Sequence, residues 1–239
     1  MSWSIVYEDE YLAAIDKPPG LLVAPDRWDK EILNLADWVR DQHSPEWRNV
    51  HRLDRETSGV VLFAKSPELQ GNFTAMFETH AVTKIYSALV RPAPRQPAGK
   101  IDIPLDADPR HPGRMRVAAN GKPSRTDYET LETWRNGAFA LLDVRPFTGR
   151  THQIRVHLAA IAAPVLADPW YGDGQPLRLS DVKRRFRGAE RGPALISRLA
   201  LHARQLAFEH PVTHLPCEIN APWPADFERA VEALRRYAA

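Results

Sequence analysis

The chain has one cysteine, Cys217, among its 239 residues, so no disulfide can form within it, and this is typical of proteins in a reducing compartment. The first ten residues, MSWSIVYEDE, carry acidic residues where a secretory signal needs basic ones followed by an apolar run. The longest apolar stretch, residues 158–167, contains Pro164 and is too short to cross a bilayer. The lack of a second cysteine, of a secretory signal and of a long apolar segment predicts a cytoplasmic protein with no membrane segment.

Several motifs of common catalytic sites are also missing. His152 and His157 lie five residues apart, whereas helical metal ligands usually lie four apart, and Cys217 has no second cysteine. The segment ANGKPS ends like a phosphate-binding loop, but Arg116 stands where the first glycine belongs and Pro123 where a magnesium-binding hydroxyl belongs. Glu56 precedes Ser58 where a nucleophile elbow needs glycine. The sequence therefore predicts neither a metal site nor a phosphate loop.

Strands and helices alternate without a strict strand–helix–strand rhythm. Residues 4–16 and 126–147 each read as an antiparallel hairpin, the second turning at Asn136 and Gly137. GVVLFAK reads as a buried strand, and Ser66 followed by Pro67 marks a helix start. Further helices are predicted over residues 32–42, 151–163 and 225–238, with a closing hairpin over 199–222. The pattern predicts an α+β fold with a largely antiparallel mixed β-sheet and flanking helices and loops.

The net charge is only +2, so the distribution of charge is more informative than its sum. In residues 50–66, VHRLDRETSGVVLFAKS, a cluster of Arg52, Asp54 and Arg55 runs directly into an apolar strand. A carboxylate close to a buried strand is costly unless it is paired or functional. For an isolated Asp, a hydrogen-bonding role in a turn is the more common explanation. A second cluster, GRTHQIRVH, lies about a hundred residues further along the chain.

Four segments together resemble the RluA-type pseudouridine synthases: HRLDRETSGVVLFAK, KIYSALV, GRTHQIRVHLA and LALHARQL. They follow the order and spacing of that family between about residues 5 and 222. The resemblance implies the pseudouridine synthase catalytic fold and an enzyme that isomerises uridine in structured ribosomal or transfer RNA. The base is cut from the ribose, turned and rejoined through C5, with no cofactor and no metal. The start of the sequence predicts a compact member without an N-terminal S4 RNA-binding domain.

The same resemblance assigns roles to individual residues. Asp54 matches the catalytic aspartate, and an ionised carboxylate beside C1′ can attack it or stabilise a cationic sugar. Arg155 matches the arginine that pairs with this aspartate and would keep it ionised. Tyr86 matches the tyrosine that stacks on the target base. Arg52 matches the arginine that fills the space the uridine leaves, and Leu201 matches an apolar residue lining the pocket.

Two irregular stretches, residues 108–125 and 173–195, concentrate basic side chains and predict RNA contacts. The alternative for any such run is a solvated surface. The candidate contacts in these stretches are Arg114, Arg116, Lys122, Lys183, Arg184 and Arg185. Arg150, the arginine of TGR at the start of the predicted helix, is a further candidate.

The sequence predicts one catalytic domain over residues 1–239, with the motifs in about 5–222 and a capping helix over about 225–238, and we expect a monomer. One alternative function is a catalytically silent RNA-binding protein on the same fold. A second is a carboxylate-based nucleoside or glycoside hydrolase, for which Glu56 is the nearby second acid. Whether Asp54 would form a covalent adduct or steer an elimination is left open.

Overall fold

The computed structural model describes residues 3–26, 29–183, 186 and 192–238. The chain divides into two compact units. Unit 1 comprises Met1–Ile85 and His202–Pro222, and unit 2 comprises Tyr86–Leu201 and Trp223–Ala239. Each unit has its own cluster of buried apolar side chains.

The elements are numbered in chain order. The strands are β1 (Ser4–Glu8), β2 (Leu12–Lys17), β3 (Arg48–Asn49), β4 (Ser58–Ala64), β5 (Thr83–Val90), β6 (Ala98–Asp102), β7 (Leu105–Ala107), β8 (Met115–Val117), β9 (Arg125–Trp134), β10 (Phe139–Pro146), β11 (Leu177–Arg178), β12 (Ala194–Ile196), β13 (Leu201–Glu209) and β14 (Pro216–Asn220). The helices are α1 (Leu35–Gln42), α2 (Pro67–Glu78), α3 (Gln153–Ala160), α4 (Leu179–Val182) and α5 (Ala225–Tyr237).

Unit 1 is built around β4, whose seven residues are all buried. Strands β2 and β3 pair with it antiparallel, and β1 pairs with β2. The turn between β1 and β2 is held by Asp9, whose Oδ1 accepts the backbone N–H groups of Tyr11 and Leu12 at 2.8 Å each. Strand β13 pairs parallel with β4 and antiparallel with β14. The β-structure of this unit is therefore mixed and largely antiparallel.

Helix α2 covers one face of the unit 1 strands through Phe73 and Met76, both buried. The proline at its first position, Pro67, needs no intrahelical hydrogen-bond partner there and so begins the helix at no cost. Helix α1 begins at Asn34, whose side-chain oxygen accepts the backbone N–H of Asp37 at 2.9 Å. This cap places the start of the helix three residues later than the 32–42 predicted.

In unit 2, β10 lies between β5 and β9, and β6 pairs with β9, all antiparallel. Helix α5 packs on the core through an apolar stripe spaced as one helical face. The stripe consists of Phe227, Ala230, Val231 and Leu234. Asp226 in its first turn accepts two hydrogen bonds of 2.8 Å from the Arg198 guanidinium.

The predicted α+β fold class with largely antiparallel pairing is confirmed, as are all three hairpins and the C-terminal helix. Two stretches predicted to be irregular contain short elements. Strand β8 lies within 108–125 and pairs with β7, which comes just before that stretch, and β11 and α4 lie within 173–195, where β12 begins. Helix α3 ends at Ala160, before the predicted stop at Pro164, because Ala162 adopts a left-handed conformation (φ +59°) that the helix cannot continue through.

Candidate functional site

Asp54 lies in the loop between β3 and β4 of unit 1, and its side chain is half-buried. Its carbonyl oxygen accepts the backbone N–H of Thr57 at 3.1 Å, which closes a turn. The next residue, Arg55, is clamped to Gly20: the Gly20 N–H donates to the Arg55 carbonyl at 2.9 Å, and the Arg55 Nε donates to the Gly20 carbonyl at 3.0 Å. The loop that carries Asp54 is therefore fixed at its backbone. The Arg52 side chain is exposed.

Lys17 is fully buried at the end of β2 and makes hydrogen bonds to the backbone of the same loop. Its Nζ donates to the carbonyl oxygens of Pro18 and Leu21 at 2.8 Å each and to that of Arg55 at 3.0 Å. Three acceptors match the three donors of an ammonium group, which offsets the cost of burying it. Lys17 thus connects the turn after β2 to the loop after Asp54. The sequence reasoning did not single out this residue.

Gly59, at the start of β4, lets the backbone of β13 approach closely. Its φ is +116°, and a Cβ built there would lie 2.2 Å from the carbonyl oxygen of Ala203. Beside it, the Ser58 hydroxyl is 3.0 Å from Nδ1 of the fully buried His202, whose Nε2 donates to the Ala221 carbonyl at 3.3 Å. The TSG segment that follows Asp54 is thus a packing junction between β4 and β13.

His51 precedes this loop and is neutral at physiological pH. Burial, followed by the charge of Lys84, lowers its pKa to about 3. Its Nε2 accepts the backbone N–H of Leu62 at 3.1 Å, and its ring stacks on Phe77 with centroids 4.4 Å apart. The side chain ties the motif to β4 and α2 and needs to remain uncharged to do so.

Arg155, on α3 of unit 2, forms a buried ion pair with Asp168. Its Nε and Nη2 donate to the two carboxylate oxygens at 2.7 and 2.9 Å. Asp168 also accepts the backbone N–H groups of Trp170 and Tyr171 at 2.9 and 3.1 Å. Burial alone would raise the pKa of Asp168, but the Arg155 guanidinium and these amides hold it below its usual range. The pair is ionised and rigidly placed.

Two aromatic rings lie against the Arg155 guanidinium. Its central carbon is 5.0 Å from the centre of the Tyr171 ring and 5.4 Å from that of Trp170. The Tyr171 hydroxyl accepts the backbone N–H of Met115 at 2.8 Å and lies 2.9 Å from Nδ1 of His152. The segment DPWYG at 168–172 therefore connects α3 to the β7–β8 hairpin. None of its residues was predicted as functional, although Asp-Pro followed closely by a glycine is a recognisable turn signal.

A cavity of about 370 Å³ opens beside this cluster. We call it the Trp170 cavity. Its lining combines apolar side chains of α3 with basic and aromatic side chains of the hairpin and the DPWYG segment: Asp108, His111, Arg114, Met115, Arg116, Val117, Val156, Ala159, Ala160, Trp170 and Tyr171. Two of the predicted RNA contacts, Arg114 and Arg116, line it together.

The remaining predicted residues of unit 2 are more dispersed. Tyr86 lies on β5 opposite Val144 of β10 and is half-buried, whereas Leu201 is 3% exposed and belongs to the apolar core of the unit. Lys122 and Arg150 are both exposed. Lys183 is also exposed, and its Nζ lies 5.5 Å from the centre of the Tyr237 ring. Arg184 and Arg185 lie outside the described residues.

Among the residues that the structure describes, no three His, Cys, Asp or Glu side chains are grouped closely enough to hold a metal ion. Within the same residues, no helix has the length and apolar character needed to cross a membrane.

Comparison with known proteins identifies the family of the chain. Residues 11–160 match the model of the RNA pseudouridylate synthases. The ribosomal large subunit pseudouridine synthase D of Xanthomonas campestris pv. campestris is 38% identical over 99% of this chain and 70% of its own length. The dual-specificity RNA pseudouridine synthase RluA of Vibrio vulnificus is 33% identical over 90% of this chain and 83% of its own. Human RNA pseudouridylate synthase domain containing 4 superposes with a TM-score of 0.73 at 26% identity, covering 97% and 93% of the two chains.

The chain belongs to the RNA pseudouridylate synthase family. Its relatives identify it as RluA-type, and it is an RNA pseudouridine synthase, an isomerase that acts on RNA. The family predicted from the four sequence motifs is thereby confirmed.

Proposed function

We propose that Asp54 is the catalytic residue and that the chain converts specific uridines of ribosomal or transfer RNA to pseudouridine. The observation that carries this proposal is the position of Asp54 in a chain of this family. It is a half-buried carboxylate on a loop fixed by Lys17 and Gly20. A fixed loop holds a reacting group in one geometry, which lowers the entropy lost at the reaction step.

In the proposed reaction the Asp54 carboxylate attacks C1′ of the uridine or stabilises positive charge there while the N1–C1′ bond breaks. The base turns and a C5–C1′ bond forms, which breaks the Asp54–C1′ bond if Asp54 has attacked; the C5 proton passes to water and N1 gains a proton. Substrate and product are isomers, so no electrons are gained or lost overall. We therefore propose that the reaction needs no cofactor.

Other residues take supporting roles in this proposal. Tyr86 stacks on the target base, for which a half-buried ring on a strand is suited, and stacking of this kind contributes about 1–3 kcal/mol. Arg52 offers an exposed planar cation that can occupy the space left by a flipped uridine and offset part of the lost stacking. Arg155 assists Asp54 electrostatically, which stays a prediction beside the observed ion pair with Asp168. Leu201 as a pocket residue likewise stays a prediction.

The test is release of tritium from RNA labelled at C5 of uridine, with ribosomal RNA and transfer RNA assayed separately. We expect release by the wild type and none by Asp54→Ala. Glu56→Gln is the matched control, because Glu56 is the second acid that a hydrolase would need and lies two residues away. Release by Asp54→Ala would mean that another residue is catalytic.

The same assay separates the two alternative functions. A silent RNA-binding protein would hold RNA at low salt and release no tritium in any variant. A hydrolase would release free base and depend on Glu56 as well as Asp54. Mapping of the modified nucleotide in whichever RNA is active then identifies the target.

Two further expectations accompany the proposed function. A single catalytic domain over residues 1–239 predicts one cooperative unfolding transition measured by circular dichroism and by tryptophan fluorescence. A monomer predicts a sedimentation mass of 27.1 kDa.

A further inference from the structure

We propose that the Trp170 cavity binds one unpaired nucleobase of the RNA by stacking, at a site other than Asp54. This inference rests on the proposed RNA substrate. The base stacks on the indole of Trp170, and Arg114 and Arg116 contact the adjoining phosphates. Unpaired RNA is recognised in this way, by aromatic and guanidinium planes that stack on bases and by cations that follow the backbone.

The first supporting observation is an exposed aromatic surface at a concave site. The Trp170 side chain is 40% exposed, although burying a large apolar ring is favourable and most tryptophans are largely buried. The lining of the cavity also includes apolar side chains, those of Val156, Ala159 and Ala160 of α3 and of Met115. The guanidinium groups of Arg114 and Arg155 each lie 5.4 Å from the centre of the Trp170 ring, so the base stacks on the part of the indole that stays exposed beside them.

The second observation is the charge at the rim. The central carbon of the Arg114 guanidinium lies 5.4 Å from the centre of the Trp170 ring, so a cation borders the cavity beside the ring on which the base stacks. Arg116 is exposed on β8. The acid in the lining, Asp108, is 2.8 Å from His111 Nδ1 and is engaged within its own loop. The two arginines are therefore available to bind phosphate groups, because the carboxylate of Asp108 is already hydrogen-bonded to His111.

The third observation is that both walls are held in place before any ligand binds. The backbone N–H of Trp170 donates to Asp168 at 2.9 Å. The backbone N–H of Met115 donates to the Tyr171 hydroxyl at 2.8 Å, and the Arg114 carbonyl accepts from Asp108 at 2.9 Å. The ordering of loops and side chains is a large part of the free-energy cost of association. Residues that are already held in place lose little conformational entropy, so this cost is small here.

The test measures affinity for a fluorescein-labelled unpaired oligoribonucleotide, and for the same strand in a duplex, by anisotropy across a series of salt concentrations. We expect Trp170→Ala to bind the unpaired strand about 5- to 150-fold more weakly, with an unchanged dependence on salt. Trp170→Phe should recover most of that loss because a phenyl ring still stacks. Arg114→Met should weaken binding and reduce the logarithmic salt slope by about 0.7 for each phosphate that the protein no longer neutralises.

Trp47→Ala is the matched control. Trp47 is a partly exposed tryptophan of unit 1 with a cation, Lys65 Nζ, at the same 5.4 Å from its ring, and it does not line the cavity. Its RNA affinity should equal that of the wild type. Equal affinities for Trp170→Ala and Trp47→Ala would overturn the proposal, as would an equal loss for the duplex and the unpaired strand.

The outcome is separable from that of the proposed function. Tritium release by the wild type together with full affinity in Trp170→Ala would retain the isomerase and reject the stacking site. RNA binding that depends on Trp170, without tritium release by the wild type, would retain the stacking site and reject the proposed reaction. Because Arg155 also lies against Trp170, single-turnover rates at limiting and at saturating RNA complete the test: a stacking role predicts that Trp170→Ala loses more of the rate at limiting RNA than at saturating RNA, whereas an equal loss at both would overturn it.

Discussion

The guanidinium of Arg155 and the carboxylate of Asp168 form a two-pronged ion pair inside unit 2, with side chains only 5% and 1% exposed. They lie thirteen positions apart along the chain. A buried charge is tolerated only when it is paired and its remaining hydrogen-bonding positions are filled, and Asp168 meets both conditions through Trp170 and Tyr171. The pair fixes α3, which carries Arg155, to the segment that forms one wall of the Trp170 cavity.

We predict that Asp168→Ala lowers the free energy of unfolding by about 3–5 kcal/mol, because it leaves the Arg155 guanidinium buried without its counter-charge. Urea unfolding followed by circular dichroism would measure the change. Glu132→Ala is the control. Glu132 pairs with Arg235 in the same unit, but these side chains are 31% and 50% exposed, so the loss should be about 0–1 kcal/mol. Equal losses would show that burial of the Arg155 pair contributes nothing.

A second prediction concerns acid stability and His51. Its pKa is about 3 in the folded chain and about 6.5 when exposed, so the unfolded chain binds the extra proton between these values. The resulting contribution to stability is complete above pH 6.5 and is lost as the pH falls toward 3. In His51→Gln the slope of unfolding free energy against pH in this window should be shallower by at most about 1.4 kcal/mol per pH unit. Parallel slopes for wild type and mutant would show that the folded chain binds this proton as readily as the unfolded chain and would contradict the lowered pKa of His51.

A third prediction concerns the pH dependence of stability at alkaline pH, which Lys84 influences. Burial lowers its pKa from 10.5 to about 8, so between these values the unfolded chain holds the proton and the folded chain does not. The contribution of Lys84 to the free energy of unfolding should therefore rise with pH from about 8 toward 10, and it should be absent in Lys84→Met. Burial also raises the pKa of Cys217, which lowers stability over the same range but equally in both proteins, so the difference between them isolates Lys84. An identical pH profile in the mutant would refute the assignment.

Gly59 and Gly71 give a matched pair of glycine substitutions. At Gly59 an added Cβ would meet the Ala203 backbone at 2.2 Å with φ at +116°, so Gly59→Ala should cost about 3–5 kcal/mol or prevent folding. Gly71 lies inside α2 with nothing within 4 Å, so Gly71→Ala should raise stability by about 0.5–1 kcal/mol. Thermal unfolding of both variants measures the contrast. A stable Gly59→Ala protein would mean that β4 and β13 can separate at this point.

Much of this molecule could be predicted from local pattern. Alternation of apolar residues marked the hairpins, Ser66 and Pro67 marked the start of α2, and the predicted capping helix over about 225–238 corresponds to α5. The family followed from four short motifs, because their residue types and order are specific. Boundaries were less accurate where caps decide them, as at Asn34 and Ala162.

What the sequence by itself determined is the fold class, the family and the choice of Asp54 as the candidate catalytic residue. Only the tertiary structure decided which groups hold the candidate sites. Lys17 reaches the carbonyl of a residue 38 positions away, Asp168 meets Arg155 across 13 residues, and Tyr171 meets Met115 across 56. The physical reason is that the burial of a charge or an aromatic ring depends on partners brought close by folding, and no local periodicity records such separations.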